Sequence, residues 1–178
     1  MAHTFETLLQ RCDAARKAGR GEEARDLAEQ AVALCRQAGD EVGLGKALVL
    51  LGQIERGLGS REAALAAYGE AVRIARGQDL PLMLAHRLRH VGDIEREMDR
   101  LDSAARHYEE ALRLYRARPD ADALDLANLL RPLALLAEKA GDAEAARLFW
   151  QEARGLYARA GVQAGEEEAR VGLARLAS

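Results

Sequence analysis

The 178-residue sequence has few aromatic residues and no long apolar run. Phenylalanine, tyrosine and tryptophan together make up only 4% of the chain, although apolar residues of all kinds reach 49%. Because β-sandwiches need many β-branched and aromatic side chains, this alanine-rich composition favours closely packed helices. No apolar stretch approaches the roughly 20 residues that a membrane-spanning helix requires. We therefore predict an all-α protein that does not cross a membrane.

Cysteine is scarce, and neither sign of charge is in large excess. Cys12 and Cys35 have neither metal-binding nor redox spacing, and two isolated thiols are typical of a reducing cytoplasm. The 26 Lys and Arg residues nearly balance 29 Asp and Glu residues, and the net charge of −3 disfavours a general nucleic-acid binder. The first residues lack the apolar stretch of a signal peptide. These absences predict a cytoplasmic protein that binds neither nucleic acid nor membrane.

What the sequence does contain is an internal repeat. The stretch LGQIERGLGSREAALAAYGEAVRIAR, residues 51–76, returns 40 positions later as VGDIEREMDRLDSAARHYEEALRLYR, residues 91–116. Weaker copies lie one step earlier and one step later. Such a period is typical of a solenoid, in which each unit buries its apolar face against its neighbours. The recurring residues are Gly52, Ala64, Tyr68 and Ala71, then Gly92, Ala104, Tyr108 and Ala111, then Ala146, Trp150 and Ala153, with Ala134 at the small site and Gly141 at the position of Gly59.

Each copy has the apolar spacing of two helices. In the second copy Leu44, Leu48 and Leu51 lie three or four residues apart, as on one face of a helix. Gly59 and Ser60 follow this helix, and they predict a helix stop and the N-cap of the next helix. The pattern predicts helices near residues 3–18, 22–38, 41–58, 61–77, 80–98, 102–117, 121–140 and 143–160, and a terminal helix within 163–178 that covers the last apolar face.

The small residues predict close contact between the paired helices. Gly52 and Ala64 would let the two helices of the second copy approach, and Tyr68 would fill the space beside them. Cys12 stands in the first copy where Gly52 stands in the second. We therefore predict that the Cys12 thiol packs in the core and has no catalytic role.

At these positions the sequence resembles the tetratricopeptide repeat, whose first helix ends with Leu-Gly and whose second carries Ala-x3-Phe/Tyr-x2-Ala. Leu51-Gly52, Ala64, Tyr68 and Ala71 match this pattern. The segment AGDEVGLGKALVLLG is similar to the longer subclass, with about 40 residues per repeat, of G-protein-signalling scaffolds and bacterial peptide-sensing regulators. The resemblance implies a single domain over residues 1–178. It would be a right-handed α-solenoid of four helical hairpins, at about 1–40, 41–80, 81–120 and 121–162, with a capping helix at 163–178.

Signatures of catalysis and of cofactor binding are weak. The segment GLGKA, residues 43–47, lacks the first glycine of a phosphate-binding loop and has Ala47 where Ser or Thr would bind magnesium. His86, His90 and Asp93 have an i, i+4, i+7 spacing that could bind a metal, but the neighbouring Arg89 would repel a cation. We therefore predict no catalytic residue, no metal and no cofactor.

The tetratricopeptide resemblance implies a binding groove lined by the first helices of successive units. Transfer of the family's groove positions gives a basic centre in this slightly acidic chain, which favours an acidic peptide or helix as partner. Two groove histidines would add positive charge below about pH 6.5. The predicted groove residues are Lys46, Val49, Leu50, Gln53, Arg56, His86, Arg89, His90, Asp93, Arg96, Asn128, Arg131, Pro132 and Leu135.

Two functions are compatible with this sequence. The leading prediction is a non-enzymatic protein–protein interaction module that binds a peptide or helix in its concave groove. The alternative is a self-associating scaffold protein whose solenoid ends or convex face form a homo-oligomer. The identity of the partner stays open, because helical-repeat folds serve many partners.

Overall fold

The structure, a computed structural model, describes residues 4–177 and folds them into α-helices joined by short turns. None of the helices in this range is long and apolar enough to cross a membrane. In chain order the helices are α1 (Phe5–Lys17), α2 (Gly21–Ala38), α3 (Glu41–Gly57), α4 (Arg61–Gly77), α5 (Pro81–Glu97), α6 (Leu101–Arg116), α7 (Ala123–Ala140), α8 (Ala143–Ala160) and α9 (Gln163–Arg175).

The all-α solenoid fold and the positions of its helices are confirmed, with the helix ends shifted by a few residues at most. The predicted starting residue of the first helix, His3, and the last residue of the predicted cap, Ser178, lie outside the described residues. The chain groups into two compact units, a first unit up to Ile94 and a second unit from Glu95.

The turn between α3 and α4 agrees with the sequence in one residue and differs in the next. Gly59 has a φ of +84°, a left-handed conformation that glycine adopts without strain, and it ends α3 as predicted. Ser60 occupies the N-cap position of α4, but its side chain makes no capping hydrogen bond. Instead, the Arg61 amide donates to the Gly59 carbonyl (3.0 Å). Ser60 therefore stands at the predicted N-cap position, but the predicted hydrogen bond from its side chain is absent.

In the first unit, α3 and α4 come closest where Gly52 faces the ring of Tyr68. A Cβ atom on Gly52 would lie 2.6 Å from two carbons of this ring, well inside the separation of non-bonded carbons. Tyr68 and Ala64 are fully buried beside this contact. The predicted role of the small residues in helix pairing is confirmed.

The Cys12 thiol lies in the same core and is completely buried. Its Sγ donates to the Ala24 carbonyl of α2 at 3.3 Å. Burial raises the pKa of the Cys12 thiol to about 11, which keeps it protonated and unreactive at neutral pH. The predicted packing role of Cys12 is confirmed.

In the second unit, α8 packs against both α7 and α9. Trp150 of α8 is fully buried and shares a core with Ala134 of α7 and Ala169 of α9. Gly172 brings α9 against the indole, because a Cβ there would lie 2.5 Å from a ring carbon of Trp150. Helix α9 thus covers the aromatic face of α8, as the sequence predicts for a terminal helix.

Replacing Gly52 with alanine should destabilise the α3–α4 pair, because the new methyl would overlap the Tyr68 ring. We expect the free energy of unfolding, measured by urea denaturation, to fall by about 1–3 kcal/mol. Gly69→Ala on α4 is the matched control, since a Cβ there would meet no atom within 4 Å. This control should stabilise the helix by about 0.5–1 kcal/mol. Stabilisation by both changes would contradict the contact.

Deleting residues 163–178 should uncover Trp150 and promote aggregation, because a solenoid end without a polar cover exposes its apolar core. Light scattering of the truncated and full chains at equal concentration measures this effect. A truncated chain that stays monomeric and equally stable would show that α9 is dispensable.

Candidate functional site

The first unit brings together four polar residues that the sequence placed in the groove. Arg89, His90 and Asp93 lie on adjacent turns of α5, and Arg56 approaches them from the last turn of α3. We call these four residues the polar cluster. His90 and Asp93 are only 9% and 7% exposed, so they form the base of the cluster.

Asp93 joins the two guanidinium groups of the polar cluster. Its Oδ2 accepts a hydrogen bond from Arg89 Nη1 at 3.1 Å and lies 3.7 Å from Arg56 Nη1. One carboxylate therefore offsets one of two positive charges. The two guanidinium groups and the carboxylate meet in a half-buried setting, where charge interactions are stronger than in open solvent.

His90 is held between aromatic rings and an arginine. Its ring stacks on Tyr68 with centroids 4.9 Å apart and an interplanar angle of 18°, and His86 approaches edge-on at 4.6 Å. Arg89 Nη2 lies 2.9 Å from His90 Nε2. Because a guanidinium can only donate, Nε2 is the acceptor and the proton of the neutral ring sits on Nδ1.

The polar cluster contains buried donors without an acceptor. Among the described residues, neither His90 Nδ1 nor Arg89 Nε has a hydrogen-bond partner. Asp93 Oδ2 is 3.9 Å from His90 Nδ1, too far for a hydrogen bond. An unsatisfied buried donor costs roughly 1–3 kcal/mol, and an acceptor supplied by a ligand would recover part of that cost.

His90 does not supply the positive charge that the sequence analysis expected of it. Burial, with smaller effects from Arg89, His86 and Arg56, lowers the pKa of His90 from its ordinary 6.5 to about 2. The ring therefore stays neutral at every physiological pH. The predicted gain of charge below pH 6.5 is wrong for His90, because a buried imidazole beside two guanidinium groups is not protonated.

The candidate metal ligands of α5 have other contacts. Nε2 of His90 faces Arg89, and Asp93 binds the same arginine. Residues 4–177 contain no group of three His, Cys, Asp or Glu side chains arranged to hold a metal ion.

Sequence reasoning missed the role of Arg87, which is a structural residue of the first unit. Arg87 is 2% exposed and donates to the Ala71 carbonyl of α4 at 2.7 Å. Gly45 makes room for it, since a Cβ there would lie 2.7 Å from a guanidinium nitrogen. The second glycine of the GLGKA segment is thus a packing site for an arginine 42 positions later. No local pattern could reveal that pairing.

Four further predicted groove residues lie along α3. Lys46 is exposed, whereas Val49, Leu50 and Gln53 are half-buried. Lys46, Val49, Gln53 and Arg56 are three or four residues apart, so they share one helical face. This face leads from an exposed cation to the polar cluster.

Most of the predicted groove residues of the second unit contact other residues of that unit. Arg131 Nε donates to Glu168 of α9 at 2.7 Å, and the Asn128 amide oxygen accepts from the Tyr157 hydroxyl at 3.0 Å. Leu135 packs on the core that contains Trp150.

The prediction that Pro132 lines the groove is wrong. It is fully buried, so its side chain cannot line a surface groove. Helix α7 runs continuously through it from Ala123 to Ala140. Because α7 is rich in alanine and leucine and apolar on several faces, its sequence does not indicate which face is buried.

Arg96 is a predicted groove residue of the second unit, and it is half-buried. Its Nε has no hydrogen-bond partner among residues 4–177.

Residues 3–77, which include α1 to α4, match the tetratricopeptide repeat family. No curated protein matches the chain.

Solved structures share the fold over almost the whole chain. The kinesin light chain TPR-like repeats from Podosopora anserina are 15% identical, with a TM-score of 0.76 over 97% of this chain and 84% of that one. Aspartyl phosphate phosphatase F from Bacillus subtilis is 14% identical, with a TM-score of 0.85 over 93% of this chain and 43% of that one. A Rap protein complexed with Competence and Sporulation Factor is 14% identical, with a TM-score of 0.79 over 99% and 49%.

These identities establish a shared fold and nothing more specific. The chain spans less than half the length of the phosphatase and of the Rap protein.

Lowering the pH should destabilise the protein through His90. Below pH 6.5 the unfolded chain takes up a proton on this residue that the folded chain does not bind, so stability falls as pH falls toward about 2. For this residue alone we expect a loss of about 2 kcal/mol between pH 7 and pH 5. Urea denaturation at both pH values should show a smaller loss for His90→Gln. An identical loss in the variant and the wild type would contradict the burial of a neutral ring.

Proposed function

We propose that this chain, an all-α solenoid whose residues 3–77 match the tetratricopeptide repeat family, is a non-enzymatic interaction module that binds an acidic peptide segment at the polar cluster of its first unit. Helical repeats of this kind typically bind other proteins through extended surfaces. The observation that carries the proposal is the unpaired, buried Nδ1–H of His90 beside Arg56 and Arg89.

The chemistry of the cluster favours an acceptor group with negative charge. His90 Nδ1 and Arg89 Nε are buried donors without an acceptor, and they lie beside the guanidinium groups of Arg56 and Arg89. A carboxylate of a partner could accept several of these hydrogen bonds at once, and bonds between charged groups are the strongest of their kind. A neutral backbone carbonyl would satisfy a donor but would make only the weaker, uncharged kind of hydrogen bond.

The surroundings of the cluster favour an extended segment over a single anion. Lys46 extends the positive charge along α3, and Val49 and Leu50 offer half-buried apolar surface beside it. An acidic peptide with an intervening apolar side chain would contact both kinds of surface.

The second unit offers less free positive charge for such a partner. Arg131 already pairs with Glu168, and Lys139 pairs with Asp99 at 2.8 Å. We therefore place the proposed contact in the first unit.

The relatives of known structure support a binding function. One of them, a Rap protein, was solved in complex with Competence and Sporulation Factor. We propose the same general use of the fold here, with a peptide segment as ligand.

A random peptide library displayed on phage and selected on the full chain tests the proposal. We expect enriched sequences to be rich in Asp and Glu, and Arg89→Glu should weaken their binding at least about tenfold. Arg73→Glu, an equal charge change at an exposed position of α4, is the control and should bind like the wild type. Affinity should also fall as salt rises, since exposed charges are screened. Enriched peptides that ignore Arg89→Glu and salt would sink the proposal.

Self-association is the alternative function, and exposed apolar residues such as Leu148, which is 60% exposed, would serve it. Light scattering over a wide concentration range separates the two functions. A constant monomer mass supports the interaction module, and a mass that grows with concentration supports the homo-oligomer.

A further inference from the structure

The second unit contains an apolar cleft that is lined by residues of α6, α7 and α8. Its volume is about 440 Å³, within the range of binding pockets. We call it the α6–α8 cleft. Half-buried apolar side chains form its floor and polar residues form its rim. The apolar lining consists of Leu101, Ala105, Leu112, Leu133, Leu136 and Phe149, with Ala137 and Ala140 beside them.

The lining of the cleft is more apolar than the equivalent surface of the first unit, because two alanines replace an ion pair. In the first unit, Arg25 of α2 lies 2.8 Å from Glu55 of α3, and the Glu55 carboxylate is almost buried. The repeat places Ala105 of α6 and Ala137 of α7 at the equivalent positions. Two long charged side chains therefore become two methyl groups. The corresponding groove of the first unit, of about 480 Å³, has the Glu55 carboxylate in its lining, whereas the α6–α8 cleft has a methyl group at that place.

The rim of the cleft carries carboxylates that have no cation. Asp102 and Glu109 are exposed on α6, and neither makes a hydrogen bond or ion pair within residues 4–177. Asp142 uses one oxygen to accept from the Ala145 amide at 2.9 Å, as the N-cap of α8. Lys139, the single basic residue among those that line the cleft, is paired with Asp99. The rim is therefore acidic around an apolar floor.

We propose that the α6–α8 cleft docks an amphipathic helix of a partner protein, with aliphatic side chains in the cleft and basic residues against Asp102 and Glu109. The proposed surface shares no residue with the polar cluster. It would bind a basic partner, whereas the polar cluster would bind an acidic one. The occupant is defined by charge complementarity, because two unpaired carboxylates at the edge of apolar surface match cations that flank an apolar stripe.

The spacing of the carboxylates specifies the partner further. Asp102 and Glu109 are seven residues apart on α6, which corresponds to two helical turns and about 10 Å. Ala105 and Leu112 lie on the same face, three residues beyond each carboxylate. A partner helix packed alongside α6 would match this face with Lys or Arg seven residues apart and with Leu or Ile between them.

Selection of a displayed library of helical peptides tests the proposal. The library is selected on the full chain and depleted on Ala105→Arg/Ala137→Glu, which rebuilds in the second unit the ion pair of the first. We expect the remaining peptides to carry two basic residues seven positions apart around aliphatic residues. Fluorescence polarisation of one such labelled peptide should then show at least about tenfold weaker binding to the rebuilt variant.

Charge variants on the exposed rim keep the test valid if the rebuilt variant fails to fold. Asp102→Lys and Glu109→Lys together should weaken binding of the same peptide by about tenfold or more, and added salt should do likewise. Glu62→Lys is the matched control for Asp102→Lys, since Glu62 holds the equivalent exposed position in the first turn of α4. It should leave binding unchanged.

Three results would overturn the proposal. They are peptides enriched without basic residues, binding that is unaffected by the cleft variants, and a cleft that binds a small apolar dye but no helical peptide. Acidic-peptide binding at the polar cluster should persist in every cleft variant and be lost in Arg89→Glu. The two proposals therefore fail independently of each other.

Discussion

A methyl group has no room between Gly52 and the ring of Tyr68, and the first unit depends on this close approach of two helices. The contact fixes how α3 packs on α4 and buries the Tyr68 ring completely. That ring then carries His90 of α5 on its face at 4.9 Å. The same interaction that pairs two helices therefore also positions the base of the candidate binding site. Gly172 and Trp150 repeat the arrangement where α9 closes the second unit.

Equivalent positions of the repeat carry different side chains in the two units, and the surfaces of the units differ at those positions. Arg25 and Glu55 form an ion pair between α2 and α3, whereas Ala105 and Ala137 leave only methyl groups at the equivalent positions of the α6–α8 cleft. The backbone architecture is common to both, because the small and aromatic positions that set helix packing are kept. Side chains outside those positions are free to vary, since they do not determine the fold. A repeat protein can thus carry unlike surfaces on like hairpins.

The two candidate surfaces use electrostatics in opposite senses. The polar cluster combines buried donors with the guanidinium groups of Arg56 and Arg89, and burial keeps His90 neutral. The rim of the α6–α8 cleft presents unpaired carboxylates around apolar surface. Under the two proposals, a chain that is nearly balanced in net charge would discriminate between partners of opposite charge. Net charge alone does not reveal this property, because the groups are segregated in space.

The sequence by itself determined the helices, their pairing and the solenoid class, because helical periodicity and the small–aromatic repeat are local patterns that follow from backbone geometry. It also placed Arg56, Arg89, His90 and Asp93 on the correct helices. Tertiary structure alone decided that Pro132 is buried, that Glu168 neutralises Arg131 and that His90 is uncharged. Each of these outcomes depends on side chains from other helices, often about 40 residues away in the chain. Burial and pKa are properties of such assembled surroundings, so no stretch of sequence contains them.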